Sequence, residues 1–313
     1  AAVEQIRARH PRTPVLITEH DGYTNEYTNQ EKQEAYQGVN RAARRAFERL
    51  TQAGVPDLYY LSHEEIGMDM EAMVDGVHST DWGMVLYAGA YEKALRRILQ
   101  EPEGPYKTMR PVRQRREAGG YEWNARHEQI LQMNREHAPE RVILGNSIVH
   151  YWGGQPAAAW KNGGKVWDKW LQPAGFRNLG FGWDRIENVL WRVYHDELSG
   201  YEAKEVVLMI GTNNLGDCTD EEIAEGIRFL AGAIRERQPS AKLKVVGILP
   251  RRGMEERIRE LNAKIRALLP AGVTFTEAGE ALLKNGKIDE SLFRDGLHPN
   301  EKGYERIAKK VGK

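Results

Sequence analysis

Short apolar runs alternate along the chain with longer segments in which apolar residues recur at helical spacing. The runs have the length and the β-branched content of buried strands, and the segments between them are long enough for helices of several turns. Strands separated by such helices form βαβ units, which build a parallel sheet covered by helices on both faces. The predicted strands cover residues 15–18, 58–61, 142–144, 206–210, 243–249 and 273–276. The predicted helices cover about 31–53, 82–99, 124–136, 184–197, 220–237, 254–268 and 300–311.

The composition argues against several classes of partner. The chain of 313 residues carries 45 basic and 45 acidic side chains, so its formal net charge is zero. A balanced charge gives no reason to expect a nucleic acid or an anionic membrane as partner. The sequence contains no apolar run near the ~20 residues that span a bilayer, so no transmembrane segment is expected. The single Cys218 excludes an intrachain disulfide and is compatible with any compartment.

One motif occurs twice. Residues 75–83 read DGVHSTDWG and residues 295–303 read DGLHPNEKG, so the copies share Asp, Gly, His and a second Gly at the same spacing. A predicted helix follows each copy, which indicates two related units. We expect a partial α/β unit over 1–100, a linker rich in Pro, Gly and Arg over 101–120, and a catalytic α/β domain over 121–313.

The first unit resembles the back half of a domain. Its copy of the motif is preceded by two predicted strands and by no Gly-x-Ser block. We therefore expect a missing N-terminal half, or self-association, to cover the sheet edge that a partial unit exposes. Residues 1–10 have the pattern of a helix fragment and lack the apolar core of a signal peptide. The compartment stays open, and a periplasmic or secreted location would require an upstream signal peptide that had been removed.

The second unit carries the residue types of a nucleophilic site. Gly145-Asn146-Ser147 follows an apolar predicted strand, at the end of the sheet where open α/β folds bind ligands. The hydroxyl of Ser147 needs a general base, which His298 can supply, and Asp295 is close enough in sequence to orient the imidazole. Ser147 alone could cap a helix and His298 alone could be a turn residue. Their combination with the blocks between them favours a serine hydrolase.

Two intermediate blocks can supply donors for an oxyanion. Asn213 follows a strongly apolar predicted strand in IGTNN, so its amide can reach the same crevice and stabilise a tetrahedral intermediate. Asn-Asn after a strand is also a turn signal, and Asn214 fits that role. In NLGFGWD (178–184), Gly180 and Gly182 flank Phe181 in a predicted tight loop, whose backbone N–H groups can approach a ligand.

These blocks resemble those of the SGNH, or GDSL-type, hydrolases, and most of all those of the platelet-activating-factor acetylhydrolase catalytic subunits and related bacterial esterases. The resemblance covers about 140–313 and implies a flavodoxin-like α/β/α sandwich with a five-stranded parallel sheet. It implies Ser147 as nucleophile, His298 as base and Asp295 as its orienting acid. It further implies that Asn213 and the backbone N–H groups of Ser147 and Trp183 form the oxyanion hole. Residues 12–99 resemble the C-terminal part of a second such domain, and Asp75 and His78 match its acid–base block.

Two positions depart from the family pattern. Asn146 replaces the usual Asp of the serine block, which keeps the shape but removes a charge. Trp183 replaces the usual Gly before Asp184, so its backbone N–H is kept while its side chain needs an allowed φ and occupies part of the pocket. We expect a changed acyl or leaving-group pocket.

Candidate substrate-binding residues are Gly182, Trp152 and Arg251. Aromatic residues crowd the region after Ser147, and exposed rings beside a hydrolase crevice suit stacking on sugars, although such residues also pack an inserted loop onto a domain. Arg251 follows a predicted strand and could bind an anionic group, although solvation at the surface also explains it.

The sequence therefore predicts a serine esterase that removes short acyl groups, acetyl above all, from small-molecule or glycan esters. The alternatives are a lipid-type acylhydrolase or thioesterase, and a carbohydrate-binding protein that has lost catalysis. No His, Cys or Glu cluster has metal-ligand spacing, and no glycine motif for a nucleotide is present, so neither a metal nor another cofactor is expected.

Overall fold

A computed structural model describes residues 2–11, 13–115 and 121–312 of the chain. The chain divides into two compact units, Ala1–Pro102 and Glu103–Lys313. Each unit has its own secondary structure and its own buried apolar cluster. No helix among the described residues is long and apolar enough to cross a membrane.

The first unit is built around two parallel strands. Its elements are α1 (Ala2–Arg9), β1 (Val15–Thr18), α2 (Gln30–Gln52), β2 (Leu58–Leu61), α3 (His63–Ile66) and α4 (Asp81–Leu99). β1 pairs with β2 with Val15 opposite Leu58, and α2 is the crossover that a parallel pair requires. The two strands predicted for this region are confirmed with the same bounds.

The second unit contains a five-stranded sheet and a short hairpin. Its strands are β3 (Arg141–Gly145), β4 (Phe176–Gly180), β5 (Glu205–Met209), β6 (Lys242–Val246) and β7 (Thr274–Thr276), and the hairpin is β8 (Leu283–Lys284) with β9 (Lys287–Ile288). Its helices are α5 (Trp123–Glu136), α6 (Ser147–His150), α7 (Gly164–Val166), α8 (Ile186–Tyr194), α9 (Asp220–Arg237), α10 (Glu255–Leu268) and α11 (Glu301–Val311). A π-helical turn, Trp167–Leu171, continues α7.

All five strands of the sheet run parallel, in the order β4-β3-β5-β6-β7. β3 comes first in the chain and lies between β4 and β5, so the strand order reverses there. In doubly wound sheets of this flavodoxin-like order, ligands bind beside the reversal, at the carboxyl ends of the strands. The predicted α/β fold with a five-stranded parallel sheet is confirmed.

Apolar residues cover both faces of the sheet because side chains alternate along each strand. In β3, Val142 and Leu144 belong to a buried cluster with α5, α8, α9 and α10, whereas Ile143 belongs to a cluster with α6, α7 and α11. Three layers result, and they fix the strand ends on which the site is built.

Strand β4 was not predicted, and residues 178–180 lie in it rather than in a loop. Its sequence FRNLG lacks the apolar run that predicts a buried strand, because the polar Asn178 stands at a fully buried position. The amide nitrogen of Asn178 donates to the carbonyl oxygens of Val149 and Gly153, at 2.7 Å each, and Asn178 Oδ1 accepts from the Gly180 N–H at 2.8 Å. A buried amide whose bonds are satisfied takes the place of an apolar side chain.

Two predicted elements end earlier than expected. The strand predicted to reach residue 249 ends at Val246. Beyond it, the backbone of Ile248 bonds to a side chain instead of a strand: its N–H donates to Asn262 Oδ1 at 2.9 Å, and its carbonyl oxygen accepts from Asn262 Nδ2 at 3.0 Å. The helix predicted over 184–197 is α8, which is shorter at both ends and spans Ile186–Tyr194.

The segment 103–115, expected to be part of a linker, packs on the second unit. Thr108 Oγ1 donates to the carbonyl oxygen of Glu222 at 2.7 Å. The backbone N–H of Val112 donates to the carbonyl oxygen of Glu187 at 3.2 Å. Met109 is buried, although the segment has no periodic apolar pattern. Residues 116–120 of the predicted linker lie outside the described residues.

Candidate active site

Ser147 lies at the carboxyl end of β3 on a tight turn into α6. A Cβ at Gly145 would lie 2.3 Å from the carbonyl oxygen of Met209, so only glycine fits there. Asn146 caps α6, because its side chain accepts the N–H of Ile148 at 2.9 Å. Ser147 is the first residue of α6, and its own N–H therefore has no partner inside the helix.

His298 and Asp295 reach Ser147 from the loop before α11. Ser147 Oγ lies 2.9 Å from His298 Nε2, and His298 Nδ1 lies 2.7 Å from Asp295 Oδ2. A carboxylate that accepts the Nδ1–H leaves Nε2 as the acceptor for the serine proton. The sequence-predicted Ser147, His298 and Asp295 are thus brought together in hydrogen-bonded order.

Asp295 is held in its ionised form. Its Oδ1 accepts the backbone N–H groups of Leu297 and His298 at 3.0 and 2.7 Å. Burial opposes ionisation, but these hydrogen bonds and the one from the His298 ring outweigh it and lower the pKa of the Asp295 carboxyl. The acid therefore keeps its charge below the usual titration range of an aspartate.

The loop after β4 brings Trp183 to the same place in a strained conformation. Trp183 has a φ of 67°, in the left-handed region that a bulky residue rarely adopts. The preceding residue, Gly182, is held through both of its backbone groups: its N–H donates to His150 Nδ1 at 3.1 Å, and its carbonyl oxygen accepts from the Tyr121 hydroxyl at 2.7 Å. Gln114 donates to the same oxygen at 3.0 Å.

A buried ionic cluster anchors the residue that follows Trp183. Asp184 is fully buried and pairs with the fully buried Arg192 at 2.9 Å. The other end of Arg192 contacts Glu197, and Trp123 Nε1 donates to Asp184 at 2.8 Å. A paired charge in the interior imposes its geometry because breaking the pair would leave an uncompensated charge. This anchoring holds the backbone of Trp183 at its positive φ.

Asn213 lies at the end of β5 and joins this loop to the sheet. Its Nδ2 donates to the carbonyl oxygen of Asp184 at 2.9 Å. One hydrogen of the amide is used in this bond, and an amide nitrogen carries two. Asn214 is buried, and its side chain donates to Glu187 Oε2 at 3.0 Å and accepts the Ile186 N–H at 3.1 Å, so it ties α8 to the turn after β5.

These residues border one cavity of about 680 Å³. The lining residues are Ser147, Tyr151, Trp160, Asn162, Trp183, Asn213, Arg294, Asp295, Leu297 and His298. Ser147, His298 and side-chain hydrogen-bond donors thus border one space that is open to solvent and large enough for a small ester.

Comparison with known proteins places the chain in a family. A model of the GDSL-like lipase/acylhydrolase family matches residues 143–306, just over half of the chain. The chain belongs to that family. A second model with the same description matches residues 1–96. Both motif copies therefore fall within GDSL-like segments, and membership identifies the protein as a hydrolase that acts on esters.

The similar proteins include subunits of an acetylhydrolase. Platelet-activating factor acetylhydrolase IB subunit alpha2 of Bos taurus is 30% identical over 198 residues, which is 61% of this chain and 82% of the relative. Subunit alpha1 of Homo sapiens is 29% identical, with 61% and 81% covered. A solved structure from Streptococcus pneumonia, whose description refers to a platelet activating factor, has the same fold. It has a TM-score of 0.51 and 20% identity, over 59% of this chain and 89% of that one.

The three residues expected to bind substrate do not line the cavity. Trp152 is fully buried against Trp167 and Tyr304, because α11 and the π-helical turn cover it. Gly182 is buried behind the cavity wall, with its N–H and C=O already bonded. Arg251 lies outside the residues that border the cavity.

Other residues form the wall instead. Trp160 and Trp183 are exposed by 49% and 54%, and Tyr151 packs between Trp160 and His298, with ring centroids 5.1 and 5.7 Å away. All three belong to the aromatic residues that crowd the sequence after Ser147. Arg294 was missed, although its place directly before the Asp-Gly-Leu-His motif could have indicated it.

His150 is a buried neighbour of the site that acts on the loop. Burial lowers the pKa of His150 to about 3, and the nearby Arg126 and Arg192 add to the effect. The ring is therefore neutral near neutral pH, with Nδ1 free to accept the Gly182 N–H.

The first unit repeats the acid–base geometry without a serine. His78 Nδ1 lies 2.8 Å from Asp75 Oδ2, and Asp75 Oδ1 accepts the backbone N–H groups of Val77 and His78. The His78 side chain is 79% exposed, and no described serine bonds to it.

One group in the first unit has ligand atoms close enough for a metal ion. Atoms of Glu19, His63 and Glu64 lie within 4.8 Å of one another. Both oxygens of Glu19 already accept hydrogen bonds, Oε1 from Arg44 and Tyr60 and Oε2 from the His63 N–H. These bonds explain the buried carboxylate without an ion.

Proposed function

We propose that the second unit is a serine esterase that removes short acyl groups, acetyl above all, from carbohydrate esters through an acyl-enzyme intermediate. The observation that carries the proposal is the 2.9 Å contact between Ser147 Oγ and His298 Nε2, in line with the 2.7 Å contact between His298 and Asp295. This is the order of nucleophile, base and orienting acid that acyl transfer uses.

In the first step Ser147 Oγ attacks the acyl carbon, and His298 Nε2 takes the hydroxyl proton. Asp295 stabilises the imidazolium that forms. The tetrahedral intermediate collapses when the bond to the alcohol breaks, and His298 returns the proton to that alcohol. Water, deprotonated by His298, then attacks the acyl-enzyme and releases the carboxylic acid and Ser147.

Three donors are assigned to the oxyanion. The Ser147 N–H begins α6, Trp183 contributes its backbone N–H from the loop anchored by Asp184, and Asn213 contributes the second hydrogen of its amide. Donors held in place before reaction stabilise developing charge without reorganisation, and each is typically worth a factor of about 10²–10³ in kcat.

The cavity supports a sugar ester over a long-chain lipid ester. Its wall combines exposed tryptophan rings with polar groups, among them Asn162 and Arg294. Aromatic faces and side-chain hydrogen bonds suit a hydroxylated ring, whereas a fatty chain would require an apolar channel. The acetyl group is proposed because the relatives at about 30% identity are named acetylhydrolases.

A second candidate is a carbohydrate-binding protein without catalysis. Trp183 favours it, because a large exposed ring stands where the family pattern has glycine. The esterase is preferred because both backbone groups of the neighbouring Gly182 are fixed: its N–H donates to His150, and its carbonyl oxygen accepts from Tyr121 and Gln114. A binding protein without catalysis has no need of a backbone N–H held in this way.

Covalent labelling separates the two candidates. An esterase reacts with a fluorophosphonate at its activated serine, and intact mass followed by peptide mapping should place one label on Ser147. Ser147→Ala and His298→Ala should remain unlabelled, whereas Ser240→Ala, which removes an exposed serine, should label like the wild type. A folded wild type that takes no label would favour the binding protein.

A further inference from the structure

Arg294 supplies a positive charge to the cavity and has no acidic partner in the part of the chain that the structure describes. Its guanidinium Nη1 donates a hydrogen bond to Asn162 Oδ1 at 2.7 Å. Among the described residues no carboxylate lies within ion-pair distance of Arg294, and the side chain is exposed. The neutral amide of Asn162 fixes the guanidinium and leaves its charge uncompensated.

The charge of a second arginine in the same region, Arg252, is neutralised by a carboxylate. Its Nε and Nη2 donate to the two carboxylate oxygens of Glu290 at 2.7 Å each. Arg252 therefore has the two-pronged carboxylate partner that guanidinium groups prefer. Arg294 lacks such a partner, and it is the arginine that borders the cavity.

Asp295, the acidic residue that borders the cavity, does not pair with Arg294. Asp295 lies in the same loop as His298, and its Oδ1 and Oδ2 accept hydrogen bonds from Leu297 and His298. Its carboxylate lies beyond 4.0 Å from the Arg294 nitrogens, since the two form no ion pair. An anion that enters the cavity therefore finds a cation already oriented.

We propose that Arg294 and Asn162 form a subsite for an anionic group, a carboxylate or a phosphate, on the alcohol part of the ester. Trp160 and Trp183 provide exposed ring faces in the same cavity, on which the sugar that carries this group would stack. This inference rests on the proposed esterase function and assigns its substrate class, namely acylated sugar acids or sugar phosphates rather than neutral sugars.

The experiment compares matched esters that differ only in charge. Acetate release is measured from an O-acetylated methyl glucuronoside, from the methyl glucoside acetylated at the same position, and from an acetylated glucose phosphate. The wild type should show a kcat/KM at least about tenfold higher for the charged esters, as expected for a hydrogen bond to a charged group. The ratio of the two charged esters tells whether carboxylate or phosphate is preferred.

Arg294→Met should lower kcat/KM for the charged esters by about 10- to 100-fold, mainly through KM, and leave the neutral ester nearly unchanged. Arg294→Lys should recover part of the loss. Arg259→Met is the matched control, since Arg259 is an exposed arginine of α10 paired with Glu256. Equal wild-type rates on charged and neutral esters would overturn the inference. So would equal losses on every ester, p-nitrophenyl acetate included, in both Arg294 variants.

A binding measurement keeps the inference distinct from the esterase proposal. Ser147→Ala should bind methyl glucuronoside more tightly than methyl glucoside by NMR titration, and the preference should vanish in the double variant with Arg294→Met. Preference for the charged sugar without turnover would retain the subsite and reject the esterase. Turnover of p-nitrophenyl acetate without a preference for the charged sugar would retain the esterase and reject the subsite.

Discussion

The hydroxyl of Tyr121 donates a hydrogen bond of 2.7 Å to the carbonyl oxygen of Gly182, the peptide that presents the N–H of Trp183. Tyr121 precedes the family match at 143–306, so this contact joins a segment outside that match to the loop that carries Trp183.

Tyr121→Phe should lower kcat on p-nitrophenyl acetate about threefold to tenfold and leave KM nearly unchanged, because about 1 kcal/mol of hydrogen bonding that orients the Trp183 peptide is lost. Steady-state kinetics measure both constants. Tyr59→Phe, which removes a hydroxyl from β2 in the first unit, is the control. A rise in KM at constant kcat would show that Tyr121 contacts the ester instead.

Trp183→Gly and Trp183→Ala separate the backbone from the ring. Both remove the ring and should raise KM for an acetylated sugar while they retain hydrolysis of p-nitrophenyl acetate. Glycine tolerates the φ of 67° and alanine does not, so the glycine variant should be more stable by about 1 kcal/mol. Urea unfolding tests this difference, and an alanine variant of equal or greater stability would refute the strain at residue 183.

Asn213→Ala should reduce kcat by about 10²–10³ because an oxyanion donor is lost. Asn213 also holds the carbonyl oxygen of Asp184, so circular dichroism must show an intact fold. Unchanged kcat in a folded variant would remove Asn213 from the oxyanion hole.

The buried His150 should make the second unit sensitive to acid. Its folded pKa of about 3 lies below the ordinary value of 6.5, so the unfolded chain binds the proton more readily between these values. Stability is therefore lost as pH falls below about 6.5, by about 2 kcal/mol between pH 7 and pH 5. His150→Gln keeps an acceptor for the Gly182 N–H and should lose less over this interval in urea titrations. Equal pH dependence of both proteins would contradict the assignment.

The strand pattern and the acid–base motif were readable from sequence because each depends on local order. The runs at 15–18 and 58–61 are apolar from end to end, and Asp295 and His298 lie in one loop whose backbone fixes their contact. The approach of His298 to Ser147 follows from the parallel fold, which brings distant strand ends together.

The errors arose where long-range contacts override local pattern. Asn178 is polar yet buried in β4, since backbone groups of distant residues satisfy its amide. Trp152 has the composition of a ligand-stacking residue, but the packing of α11 buries it. The charge of Arg294 could not be assigned a role from local sequence, because the neutral amide that holds it, Asn162, lies 132 positions away.

The most direct test of the account is hydrolysis of p-nitrophenyl acetate by the wild type, by Ser147→Ala and by the surface control Ser240→Ala. The wild type and the control should turn over the ester at equal rates. Ser147→Ala should be slower by at least about 10³-fold, because the nucleophile and its base act as one unit. Equal, near-background rates for all three folded proteins would contradict the assignment of Ser147 as the nucleophile of an esterase.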